Sequence, residues 1–146
     1  MSHTRCLYHI VFATSHRQPT IPKAHKRDLY AYINGIAEKL KCKVIRINGV
    51  TDHIHLLVDL NPTVALSDFV MKIKTATSLW IKHNPLFPFF SGWAAGYFAE
   101  TLSSEGIDGC KRYIINQEEH HSIYNFSTEV DKMAERNNFV LYKPES

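Results

Sequence analysis

Residues 43–60 narrow the possible folds of this chain more than any other stretch. Two β-type runs lie inside it. The first, residues 43–50, carries Val44, Ile45, Ile47 and Val50 among polar neighbours. The second opens at His53 and continues through Ile54, His55, Leu56, Leu57 and Val58. Asn48-Gly49 and Asn61-Pro62 bound it with turn chemistry. Two strands separated by a two- or three-residue turn form a hairpin. Successive strand side chains point to opposite faces, so His53 and His55 project together while Ile54 points into a core.

Segments on either side complete the order. Residues 5–14 read as a first strand, with Cys6, Leu7, Tyr8, Ile10, Val11 and Phe12. Residues 23–41 place Leu29, Ile33, Ile36 and Leu40 at helical spacing. A second helix over residues 64–82 carries Leu66, Phe69, Val70, Ile73 and Trp80 on one stripe. Residues 93–102 read as a fourth strand and residues 107–120 as a third helix. Ser127 is placed to cap a short last helix reaching about Arg136. The order β-α-β-β-α-β, followed by helices, is the split-βαβ, ferredoxin-like (RRM-like) arrangement of the α+β class. It predicts a four-stranded antiparallel sheet with the third strand central, so that the histidine pair sits mid-sheet on a rigid element.

The 146 residues show no repeat, linker or low-complexity tract, so one domain spanning 1–146 is expected, with a core over about 5–102. A hydrophobic share of 45% is enough to bury a real core and excludes disorder. A net charge of +3 permits nucleic-acid binding without demanding it. Cys6, Cys42 and Cys110 are odd in number and widely spaced, which disfavours a zinc ribbon or redox motif and fits a reduced, cytoplasmic setting. The N-terminus does not read as a signal peptide. The apolar stretch from Leu86 to Ala99 is broken by Pro88, Gly92 and Gly96, so no membrane span is expected.

Two parallel imidazoles on a strand can hold one divalent metal ion. A second set of reactive groups lies on the third helix, where Tyr113 and Gln117 stand four apart on one face. A tyrosine can act as a nucleophile, but its unperturbed pKa of roughly 10 means that the phenolate must be helped. The Gln117 carbonyl oxygen can serve as a neutral metal ligand. His53, His55 and Gln117 together make a three-ligand site with open positions, as a catalytic metal requires. Lys74, Ser78 and Lys82 form a stripe at i, i+4 and i+8 suited to DNA phosphates, and Lys111, Arg112 and His120 are further candidates for DNA contact. Asp52 reads as a residue that either tunes the site electrostatically or caps the turn, with the turn favoured. Phe87, Phe89 and Phe90 could stack on bases but fit better as plugs of the core edge, and Trp80 and Trp93 read as core.

The His53-Ile54-His55 run matches the His-hydrophobic-His signature of the HUH endonucleases. Residues 111–121, Lys-Arg-Tyr-Ile-Ile-Asn-Gln-Glu-Glu-His-His, resemble the tyrosine helix of the single-tyrosine transposases of small insertion sequences. The REP-associated tyrosine transposases are relatives of that family. Tyr8-His9-Ile10-Val11-Phe12 and Trp93-Ala94-Ala95-Gly96-Tyr97-Phe98 also look like it, so the resemblance runs from about residue 5 to 142. It implies a DNA transposase that cuts and rejoins single-stranded DNA at hairpin-bearing element ends, using Mg²⁺ or Mn²⁺. The nucleophile maps to Tyr113, which would form a 5′-phosphotyrosine and leave a 3′-OH. The metal ligands map to His53, His55 and Gln117. The resemblance further implies a homodimer in which the tyrosine of one subunit can complete the site of the other. Gly106 and Gly109 at the start of the tyrosine helix suit a hinge for that exchange.

Two other functions fit parts of the pattern. One is a domesticated or inactive relative that binds hairpin nucleic acid without cutting. The other is a metal-dependent phosphohydrolase in which Tyr113 is structural. The chain lacks both the third alternating histidine of histidine-triad hydrolases and the second His-x-Ser/Thr motif of two-histidine phosphoesterases.

Overall fold

The computed structural model describes residues 2–116. Strand β1 (Leu7–Ala13) leads through turns into helix α1 (Lys26–Lys39), then strands β2 (Lys43–Gly49) and β3 (His53–Asp59). Helix α2 (Leu66–Lys82), strand β4 (Phe98–Thr101) and helix α3 (Ile107–Ile115) follow. The sheet order is β2-β3-β1-β4, with every neighbour pair antiparallel. This is the split-βαβ arrangement, with β3 and β1 central. The last short helix expected near residues 127–136 lies outside the described residues.

Alternation along β1 and β3 divides the sheet into two chemically different faces. Tyr8 stands opposite Val58, Ile10 opposite Leu56 and Phe12 opposite Ile54. These residues face α1 and α2 and pack with Leu29, Ile33, Phe69 and Ile73 in the main core. Directly opposed residues share a face, so the other side carries Val11 opposite His55, Ala13 opposite His53 and His9 opposite Leu57. Strand β2 keeps to the same division through a bulge between Val44 and Arg46. The extra residue lets Val44 and Ile47, three apart in sequence, pair with Val58 and Leu56, two apart on β3.

The hairpin between β2 and β3 is closed by the Val50 amide donating to the His53 carbonyl at 3.0 Å. Glycine is required at position 49 by close approach: a Cβ there would strike the His53 carbonyl and lie 2.8 Å from Ile54 Cα.

The fourth strand is shorter than the apolar pattern predicts. Trp93 makes only an isolated bridge with Thr14, and Gly96 at φ +81° turns the chain before β4 begins at Phe98. The Lys74 ammonium holds this turn by donating to the carbonyls of Ala94 (2.9 Å) and Gly96 (2.6 Å). Burial lowers the Lys74 pKa from its ordinary value. Trp93 donates its indole N–H to Thr77 Oγ1 at 2.8 Å and packs edge-on against Phe12. Phe87 and Phe90 close the core edge as expected, whereas Phe89 is exposed.

Gly49→Ala is expected to destabilise the protein by about 1–3 kcal/mol through backbone overpacking. A lower urea midpoint at unchanged slope in denaturation monitored by circular dichroism would confirm it, and an unchanged midpoint would contradict it.

Candidate functional site

The site lies on the sheet face opposite α1 and α2, beneath α3. His53 and His55 are both fully buried there. Each ring is held through Nδ1. Nδ1 of His53 lies 2.7 Å from Asp52 Oδ1, to which its N–H can donate. Nδ1 of His55 lies 2.8 Å from Nε2 of His9. Nε2 of each ring is buried and makes no hydrogen bond among the described residues. Holding a histidine by one ring nitrogen to set the orientation of the other is how proteins prepare metal-ligating imidazoles. This donor set therefore suits a divalent cation. Among the described residues there is no cluster of three His, Cys, Asp or Glu side chains able to hold a metal. Gln117, the third ligand expected, is outside the described residues.

Tyr113 reaches the same place from above. Its ring centroid is 5.6 Å from that of His55 and 6.0 Å from that of His9, edge-on to both. A cavity of about 260 Å³ opens beside it, lined by His9, Glu100, Gly109 and Cys110 among others. Helix α3 is fixed over the sheet by Ile114, which is fully buried. Its last turn is held by Asn48, whose side-chain amide donates to the Ile115 carbonyl at 3.0 Å. Such a bond satisfies one of the carbonyls that every helix C-terminus leaves open. Ile115, the neighbour of Ile114, is 52% exposed.

The remaining expectations divide. Lys74 does not present a phosphate-binding head, because its ammonium is committed to the Ala94 and Gly96 carbonyls. The stripe Lys74-Ser78-Lys82 also rides on α2, across the sheet from Tyr113, so it forms no part of the tyrosine site. Ser78 and Lys82 instead border a separate cleft of about 680 Å³ with His83 and Phe90. Lys111 is half-buried and Arg112 exposed on α3. His120 is outside the described residues. Asp52 is more than a turn residue, since its carboxylate orients His53. His9, Glu100 and Asn48 carried no role in the sequence reading. Each emerges from strand register: His9 sits diagonally from His55, Glu100 is opposite His9, and Asn48 is opposite His55.

Residues 2–117 match the family described as "Transposase IS200 like". The chain belongs to that family. As a transposase it takes part in DNA recombination and binds DNA. It is 28% identical over 109 residues to the transposase of insertion sequence element IS200 from Salmonella typhimurium, spanning 70% of this chain and 72% of that one. It is 25% identical over 115 residues to the ISDra2 transposase TnpA of Deinococcus radiodurans, spanning 75% of this chain and 82% of that one. Among solved structures, a transposase from Deinococcus radiodurans R1 superposes with a TM-score of 0.59 at 23% identity, covering 80% of this chain and 93% of that one. A REP-associated tyrosine transposase bound to a REP hairpin superposes with a TM-score of 0.64 at 12% identity, covering 83% of this chain and 74% of that one. At these identities the two structures attest the fold. Among the described residues of the transposase, no helix is long and apolar enough to cross a membrane.

Asn48→Ala should loosen α3 without unfolding the sheet. Losing one hydrogen bond of about 1 kcal/mol should speed amide exchange in α3 about fivefold. Hydrogen exchange read by mass spectrometry tests this, and unchanged α3 protection would show that side-chain packing holds the helix without the Asn48 bond.

Proposed function

We propose that this transposase cleaves and rejoins single-stranded DNA through Tyr113, at hairpin-bearing ends of its element. The observation that carries the reading is the meeting of three rings: Tyr113 lies edge-on to His55, beside the buried pair His53 and His55. A tyrosine held against two oriented imidazoles has the composition of a nucleophilic site, whereas a structural tyrosine needs no such company. The hairpin bound in the related REP-associated structure supports the same class of substrate.

In the proposed reaction the Tyr113 oxygen attacks a backbone phosphorus. A P–O bond to Tyr113 forms and the P–O3′ bond breaks, leaving a 5′-phosphotyrosine and a free 3′-OH. The phenolic proton leaves Tyr113 and the departing 3′ oxygen gains one. Rejoining is the reverse attack by a 3′-OH, so the phosphodiester energy is conserved. His53 and His55 would hold a Mg²⁺ or Mn²⁺ ion through Nε2, with Gln117 as the third ligand. When bound, such an ion supplies charge neutralisation at the scissile phosphate. Asp52 and His9 keep the two imidazoles aimed, and Asn48 with Ile114 keeps α3 over them.

The transposase is further proposed to act as a homodimer in which α3 can serve either subunit. The support lies in Gly109. Among the described residues nothing stands within 4 Å of where its Cβ would be, so space there does not demand glycine. A helical glycine costs about 0.5–1 kcal/mol relative to alanine, and backbone freedom is what that cost gives.

Full-length protein incubated with labelled single-stranded flanks of its own gene and Mn²⁺ should give a covalent adduct on a denaturing gel. Tyr113→Phe should abolish the adduct while leaving hairpin binding intact. His53→Ala should abolish cleavage and weaken Mn²⁺ binding by more than about ten- to hundredfold, the usual cost of losing even an outer-shell partner. Hairpin binding without any wild-type adduct would instead identify a binding-only relative.

Gly106→Ala combined with Gly109→Ala should slow strand exchange several-fold more than first cleavage. Mixing Tyr113→Phe chains with His53→Ala chains should restore some cleavage. Equal slowing of both steps, or no recovery on mixing, would place each site within a single chain.

A further inference from the structure

His9 and Glu100 extend the site one layer behind His55. His9 is 1% exposed and is packed between two site rings, stacked on His55 with centroids 5.1 Å apart and edge-on to Tyr113. Its two ring nitrogens face different partners. Nε2 is 2.8 Å from Nδ1 of His55, and Nδ1 is 3.7 Å from Oε1 of Glu100. The strand register makes this line-up rigid, because His9 and Glu100 are directly opposed on β1 and β4.

A carboxylate can only accept hydrogen bonds, and a neutral imidazole carries one N–H and one lone pair. The negative charge of Glu100 therefore favours the proton of His9 on Nδ1, with the N–H dipole pointing toward it. The opposite tautomer would set the His9 Nδ1 lone pair against a carboxylate at low dielectric. With its proton on Nδ1, His9 offers a lone pair at Nε2. The hydrogen bond at 2.8 Å then requires His55 to donate from Nδ1. That leaves the lone pair of His55 on Nε2.

We propose that Glu100 and His9 are positioning residues that lock His55 in its Nδ1–H tautomer and so present its Nε2 lone pair to the site. Asp52 does the same for His53 in one step, since His53 donates from Nδ1 to Asp52 Oδ1. The two strand histidines are thereby set alike, one by a carboxylate directly and the other by a carboxylate acting through a second imidazole. The consequence for metal binding rests on the two-histidine reading proposed above, whereas the tautomer does not.

The test is a long-range ¹H–¹⁵N correlation spectrum of the full chain labelled at histidine, free of metal, at a pH of about 8 where unperturbed imidazoles are neutral. His9 and His55 should both carry the proton on Nδ1. Glu100→Gln keeps the shape but can turn an N–H toward His9, which inverts the relay. In that variant His55 should move to its Nε2–H tautomer, and Mn²⁺ affinity by calorimetry should fall about ten- to hundredfold. His9→Gln, whose carbonyl can accept from His55, should recover more affinity than His9→Leu. A wild-type His55 protonated on Nε2, or a His55 tautomer unmoved by Glu100→Gln, would overturn the proposal. The predicted tautomers in a protein that forms no DNA adduct would uphold the relay and count against the cleavage reading alone.

Discussion

The register of β3 against β1 is the constraint on which the rest of this structure depends. Strand side chains alternate with a period of two, so a slip of one residue would carry His53 and His55 into the main core and push Ile54, Leu56 and Val58 out beneath α3. The native pairing, Ile54 with Phe12 and Leu56 with Ile10, is enforced by an apolar face that can be covered only by α1 and α2. Hydrophobic burial on one side of the sheet thus places imidazoles on the other. The site needs no independent placement, because it is the complement of the core.

Burying polar rings on that second face is costly unless each is hydrogen-bonded. The structure meets the cost with partners drawn from its own strands and turn. Asp52, in the β2–β3 turn, takes His53; His9, on β1, takes His55; Glu100, on β4, faces His9. Three different elements therefore converge on two side chains. Helix α3 is attached to the sheet by the buried side chain of Ile114, the edge-on contacts of Tyr113 with His9 and His55, and a hydrogen bond from Asn48.

Much of this was legible in the residues. The hairpin followed from Asn48-Gly49 between two β-type runs, and the central place of β3 followed from the element order. The shared face of His53 and His55 needed only the period of a strand, whereas the nearness of Tyr113 to them shows only in the packing of α3 on the sheet. The misses share a cause. His9, Glu100 and Asn48 matter through long-range contacts, which link residues 46, 91 and 67 positions apart to His55, His9 and Ile115, respectively. No local pattern reports such a separation. Lys74 misled because a charged residue at helical spacing looks the same whether its head meets phosphate or, as here, the carbonyls of a turn. The fourth strand was overextended because the positive φ of Gly96 does not show in an apolar run.

Tyr113, held beside His53 and His55, is the proposed nucleophile of a covalent protein–DNA link. Proteolysis of the protein–oligonucleotide adduct, nuclease trimming and peptide mass spectrometry would locate the attachment directly. A nucleotide mass is expected on the peptide containing Tyr113, joined through the 5′ phosphate. The same modification on any other residue, or a 3′-phosphate linkage at Tyr113, would contradict it.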